Sequence, residues 1–238
     1  MAKRWIFHRS GGSLCLDLAN TVSWRRSPGP IERLPTYGDL VEWARQSGVV
    51  TAPAARTLER QAGREPAVAA RILARARTLR EAIYRVFAGL AAGRPPEPAD
   101  LALLDRELHE AFRALHLSPA RSGFTLAWPL DHGPPLALPL WAAARSAVEV
   151  LTSADPRRLK TCPAARCGWI FLDVTRSGTR RWCAMEACGS RAKARRYYVR
   201  QRGGAAASSP RRTARAPGAA GGPPSRRASG PSSPRRAS

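Results

Sequence analysis

The chain has 238 residues, 44% of them hydrophobic, enough for one medium domain plus a smaller one and too apolar for a wholly disordered protein. Lys and Arg total 40 against 17 Asp and Glu, a formal net charge of +23. The excess is lopsided: residues 1–155 carry 20 basic and 15 acidic side chains, whereas residues 156–238 carry 20 basic and only two acidic ones, Asp173 and Glu186. A genomic bias toward arginine would raise Arg everywhere but would not remove acids from one segment. The block therefore points to a polyanionic partner, nucleic acid ahead of an anionic membrane surface. The longest uncharged run, 132–144, is broken by Pro134, Pro135 and Pro139, so no bilayer-spanning helix is expected. Trp5-Ile6-Phe7 is cut off by His8 and Arg9, which leaves no apolar core for an export signal, and a cytoplasmic location is expected.

The stretch from Ser13 to Val22 suits either a short strand or the start of a helix. From Thr36 to Ala154 the sequence is mostly helical, punctuated by Pro and Gly. Thr36 caps a helix over Tyr37–Ala44 that Gly48 closes, and Pro53 opens a second that ends near Gly63. Pro66 opens a third, in which Val68, Ile72, Leu79, Ile83, Phe87 and Leu90 recur at helical spacing up to Gly93. Pro98 starts a fourth, with Leu101, Leu104, Leu108 and Phe112 as its buried stripe. Phe124, Leu126 and Trp128 alternate like a strand, and a turn at Asp131-His132-Gly133 would fold it onto Leu136–Leu138. Trp141–Leu151 returns to helix. Residues 203–238 use only Gly, Ala, Ser, Pro, Arg and Thr, with nothing large and apolar to bury, so a disordered tail is expected. Within it Ser208-Ser209-Pro210-Arg211-Arg212 recurs as Ser232-Ser233-Pro234-Arg235-Arg236.

Four of the five cysteines, Cys162, Cys167, Cys183 and Cys188, fall in the pattern CxxxxC, fifteen residues, CxxxxC. Two loops that each present a pair of thiolates, separated by a hairpin's length, suit one tetrahedral Zn²⁺. Disulfides and unrelated buried thiols are the competing readings, and a reducing compartment disfavours the first. Four sulfur ligands leave no open position for water, so the zinc is structural. Residues 156–202 are too poor in large apolar side chains to fold without it. Cys15 lies apart, in an apolar run, as a small buried residue. The fold class expected is α+β: a mainly helical domain with a little sheet (1–155), a small four-cysteine zinc finger built from a knuckle, a β-hairpin and a helix (156–202), and the basic tail (203–238).

Cys162-Pro163 through Cys167-Gly168-Trp169-Ile170-Phe171-Leu172-Asp173, followed by Arg180–Lys193, resembles the CGNR zinc finger. That family's Cys-Gly-Asn-Arg string reads Cys188-Gly189-Ser190-Arg191 here. Ser replaces Asn, and either can cap a helix. Upstream, Gly11-Gly12-Ser13-Leu14-Cys15-Leu16-Asp17-Leu18-Ala19-Asn20-Thr21-Val22 and Leu40-Val41-Glu42-Trp43 resemble the ABATE domain often joined to this finger. The resemblance implies a bacterial transcription regulator whose finger binds DNA and whose N-terminal domain senses a small molecule or a stress signal. Asp17, Asn20 and Thr21 are candidate sensing residues through that string alone; local capping of the Leu18–Val22 turn serves them equally well.

Trp169–Asp173 and Thr179–Trp182 read as the two strands of the finger's hairpin, turning at Ser177-Gly178, with Ser190 as N-cap of a helix to about Arg202. That helix holds Arg191, Lys193, Arg195, Arg196, Arg200 and Arg202 and no acid. Like charges at i, i+4 destabilise a free helix, so an external anion is expected to complete the balance. With Arg180 and Arg181 these are the candidate nucleic-acid contacts, on phosphates mainly and on base edges for one or two arginines. Ala192 and Val199 form the ridge expected to face the zinc core, and Tyr197 and Tyr198 are expected to pack on the hairpin more readily than to bond phosphate. Duplex DNA is the leading partner, with RNA or a protein surface as alternatives. No catalytic group is identified: His8, His109, His116 and His132 form no ligand pair, His109 and His116 being read as seven apart on one helix, and Asp105 and Glu107 point to different faces.

Overall fold

A computed structural model describes residues 5–128, 133 and 135–207, with 202–207 described by backbone alone. Gly11 and Gly12 lead into α1 (Leu14–Ala19), which resolves the ambiguity at Ser13–Val22 as a helix followed by a two-residue strand, β1 (Val22–Ser23), paired antiparallel with β2 (Ile31–Glu32). Helix α2 (Tyr37–Gln46) starts at a capping box: the Thr36 hydroxyl accepts from the Asp39 N–H while the Asp39 carboxylate accepts from the Thr36 N–H. Thr51 caps α3 (Ala52–Arg64), and Pro66 separates α3 from the 26-residue α4 (Pro66–Ala91). Helix α5 (Pro98–Arg113) follows, then strands β3 (His116–Ala120) and β4 (Gly123–Ala127), and α6 (Leu138–Ser153).

The strand at Phe124 does form, but its partner differs from expectation. It pairs backward with β3, Leu126 opposite Leu117 and Phe124 opposite Pro119, while Leu138 begins α6. His116 thus opens a strand and does not share a helix with His109. Asp131 and His132 of the expected turn, and the Ser-Pro-Arg-Arg tail, lie outside the described residues.

Helix α4 is the axis of the apolar core. Its Leu79, Ile83 and Phe87 are fully enclosed together with Leu16 and Leu18 of α1, Leu40 and Trp43 of α2, Leu58 of α3 and Leu140 of α6. Carboxylates tie its polar flank: Glu32 takes both terminal nitrogens of Arg80 at 2.7 Å, and Glu107 takes Arg75 at 2.6 Å.

After a 3₁₀ turn at Pro156–Arg158 the chain makes β5 (Leu159–Thr161) and β6 (Ile170–Leu172), antiparallel with Thr161 opposite Ile170. A π-helical turn, Met185–Gly189, leads into α7 (Ser190–Ala207). The helix therefore runs five residues past the expected start of the tail at 203. By contacts the chain divides into two units, Met1–Arg196 and Tyr197–Ser238, so contacts do not thin out at 155/156. The reason is the seam described next.

Candidate metal centre and its surroundings

The hairpin that carries the first cysteine pair is β5–β6. Its loop is closed by Cys162 N–H to Trp169 O (2.7 Å) and Cys167 N–H to Ala164 O (2.9 Å). Gly168 follows at φ +71, where a Cβ would also press Arg26. Thr179–Trp182 is not the partner strand that the sequence suggests. Side chains hold it instead: the buried Asp173 carboxylate accepts from Arg180 N–H (2.8 Å) and from Lys160 Nζ (2.7 Å), and Lys160 also reaches Gly178 O and Arg180 O. Burial alone would raise the Asp173 carboxyl, but Lys160, the Thr175 hydroxyl and the N–H groups of Thr175 and Arg180 hold it well below the usual carboxylate range.

Cys183 precedes the π-helical turn and Cys188 lies within it, and all four sulfurs converge. Every Sγ lies within 4.8 Å of the others, with Cys167–Cys183 at 3.7 Å and Cys183–Cys188 at 3.6 Å. Zn–S bonds of about 2.3 Å define a tetrahedron with edges of about 3.8 Å, so the donor set fits zinc. The cysteines are free of disulfides and buried, with Trp169 and Phe171 packed among them. Within the cluster, hydrogen bonds from Cys167 and Cys183 hold the Cys162 thiol down, while those same bonds push the Cys167 and Cys183 thiols up. Four thiolates cannot share this volume without a cation, and zinc supplies one. These residues bind one zinc ion, and with four protein sulfurs it has no open coordination position.

Two arginines from the expected nucleic-acid set also bond to this centre. Arg180 lies over the Phe171 ring (4.4 Å) and donates to Ser10 O (2.6 Å), Trp182 O (3.1 Å) and Cys183 O. Arg191 donates to the Cys188 sulfur at 3.2 Å, a bond that favours its charged form. Arg181 is exposed beside Trp182. Lys193, Arg195, Arg196 and Arg200 are exposed on α7, and among the described residues none of them has a carboxylate partner. The Arg202 side chain lies outside the described residues.

Ser190 is not the N-cap. It is already helical (φ −63, ψ −43), and its hydroxyl donates back to Met185 O at 3.1 Å because the π-helical turn supplies the entry to α7. Ala192 is half-buried as expected, but Val199 is 64% exposed and does not continue the ridge. Tyr197 and Tyr198 are also exposed and meet each other edge-on at 5.9 Å, so the expected burial is not found.

The N-terminal string has a role that sequence reasoning missed. Asn20 pairs with the backbone of Ile170 in both directions, Nδ2 to Ile170 O at 2.8 Å and Ile170 N–H to Oδ1 at 3.0 Å. Leu172 N–H donates to Gly11 O (2.7 Å), Trp169 Nε1 to Val22 O (2.8 Å), and the Tyr84 hydroxyl to Gly168 O (3.0 Å). Gly12, at φ +81, lies so close that a Cβ would meet Leu172 O at 2.8 Å. Asp17 accepts from Gly11 N–H (2.7 Å), and only Thr21 caps locally, donating to Leu18 O. The string forms a seam that holds β6. Cys15 is fully buried as expected, and burial pushes its thiol up to about 11.

Comparison with known families places these regions. The ABATE model, described as "Putative stress-induced transcription regulator", matches residues 12–154, and a model described as CGNR zinc finger matches residues 158–201. No curated protein matches the chain.

Proposed function

Because the chain belongs to the ABATE family and ends its matched region in a CGNR zinc finger, we propose that it is a cytoplasmic transcription regulator that binds duplex DNA through α7 and does no catalysis. One observation carries the reading: Lys193, Arg195, Arg196 and Arg200 are exposed on an acid-free helix that starts at the zinc site, with no carboxylate partner among the described residues. Exposed cations at such density repel one another, and phosphates relieve that repulsion while releasing counterions. Zinc fixes where the helix begins, and Arg191, bonded to Cys188, couples its first turn to the metal. The reading without catalysis rests on a four-cysteine set that would leave a bound zinc no open position, and on a buried Glu107 that is paired with Arg75 and set apart from the exposed Asp105.

Duplex affinity across a salt series tests the reading. The log–log slope is expected near −0.9 per phosphate neutralised, and changing Lys193, Arg195, Arg196 and Arg200 together to Gln should flatten it by about 3.6 with zinc retained. A flat series for the native chain would move the assignment to a protein-interaction finger. The exposed Tyr197–Tyr198 pair favours one other outcome, base stacking on single-stranded RNA, and RNA outcompeting duplex DNA would establish it.

A further inference from the structure

A cleft of about 430 Å³ opens where the segment before α1, the β1–β2 hairpin and the zinc knuckle meet. Its lining includes Trp24 and Trp169, with Ser23, Arg33, Glu186 and Arg191, and three of the zinc cysteines border it. The volume is within the range that takes a small ligand.

Three features set this cleft apart from a packing gap. Ser23 is 3% exposed, yet its hydroxyl has no hydrogen-bond partner, and the buried Nε of Arg33 has none either. Buried polar atoms without partners are rare because each loses its solvation uncompensated. Arg33 is also half-buried, with no carboxylate partner among the described residues, its guanidinium lying 5.2 Å from the Trp5 ring and 5.6 Å from that of Trp169, with one bond to Ile6 O. Other buried or half-buried arginines have several partners: Arg25, Arg75 and Arg80 meet Glu81, Glu107 and Glu32, and Arg158 and Arg180 each donate to two or more backbone carbonyls. Lastly, Trp24 is the one non-glycine residue at positive φ (+55) among the described residues, and a bulky side chain held there signals a constrained site.

We infer that this cleft binds a small organic monoanion with a flat apolar body, its carboxylate on Arg33 and Ser23 and its plane against Trp24 and Trp169. A half-buried guanidinium whose Nε has no acceptor calls for one, and a carboxylate supplies it together with the opposite charge. The charge is limited to one because Glu186 lines the same cleft and the zinc–tetrathiolate set nearby is formally negative; a polyphosphate would meet both. Arg191 belongs to the cleft wall and is bonded to Cys188, so an occupant borders the first turn of α7. The inference goes beyond the proposed DNA binding and adds a ligand to it. Its test uses no DNA, so failure here leaves the salt-series result standing, and the reverse also holds.

The probe is 1-naphthoate, titrated by calorimetry and tryptophan fluorescence into the full zinc-loaded chain, with 1-naphthamide as neutral isostere and pyrophosphate as polyanion. One naphthoate per chain is expected, with naphthamide and the Arg33→Gln variant each at least about tenfold weaker. Ser23→Ala should weaken binding several-fold while zinc content and circular dichroism stay unchanged. If Arg33→Gln does not fold, Arg33→Lys and Trp24→Ala carry the comparison, the first with reduced affinity and the second with the fluorescence response diminished. The idea is overturned by an absence of saturable naphthoate binding, by equal binding of naphthamide or pyrophosphate, or by undiminished binding in the folded variants.

Discussion

In the helical region Trp43, Leu79, Ile83 and Phe87 are enclosed by other apolar side chains, whereas in the cysteine region the enclosed set is four thiols with Trp169 and Phe171. The first gains its stability from apolar surface removed from water, spread over many residues. The second concentrates stability in one ion and in hydrogen bonds to its neighbour. Loss of a single side chain should therefore be graded in the helices and close to all-or-none at the cysteines.

Cys188→Ala attacks that contrast most severely. It should abolish stoichiometric zinc and with it a metal-binding free energy on the order of 10 kcal/mol. Residues 159–189 are then expected to lose amide protection while most far-ultraviolet helix signal persists. Proportional loss of helix in both regions would mean that the seam makes them one cooperative unit. Leu79→Ala comes next, at about 2–5 kcal/mol for a cavity in the main core, read as a lower thermal midpoint with one zinc still bound below it.

Asn20→Ala targets the seam itself. It strips partners from both the N–H and the C=O of Ile170, at a cost of about 2–3 kcal/mol, and Asn20→Asp, which can accept but not donate, should recover only part. Arg180→Ala and Arg195→Ala separate the inward from the outward arginines. The first should lower stability by about 1–2 kcal/mol with little change in the DNA salt slope, and the second should reverse that pattern.

The smallest effect is titrational. Burial pushes the Asp17 carboxyl up to about 6, against the Gly11 N–H and the charges of Arg9 and Arg180. A carboxyl raised in the folded state binds protons more tightly there than in the unfolded chain, so stability falls as pH rises through about 6. Asp17→Asn, whose amide oxygen still accepts from Gly11, should stabilise the chain by of order 1 kcal/mol at pH 8, a gain that fades on going below pH 6. Paired denaturation curves at the two pH values measure it.

How far the sequence foretells these features depends on how local they are. Helices α2 to α5 are legible because Thr36, Pro53, Pro66 and Pro98 mark their starts and apolar residues recur at helical spacing. The zinc ligands are legible because their spacing is itself the chemistry. Strand β3 is not, since Pro119 within it argues against a strand, nor is β5, three residues with Lys160 at the centre. The arginines look alike in sequence, and only coordinates separate Arg180 and Arg191, turned toward the metal centre, from Lys193, Arg195 and Arg196. The role of the Gly11–Val22 string as a seam is not legible, because Asn20 bonds backbone groups 150 positions away.

That separation has a consequence for biosynthesis. The amide of Asn20 leaves the ribosome early, and the strand it grips is translated about 150 residues later. A nascent chain arrested before Leu172 thus carries a helical bundle with an unfilled polar notch, a candidate for chaperone capture. The Asn20 edge of the N-terminal half is therefore completed only once the cysteine region has been translated.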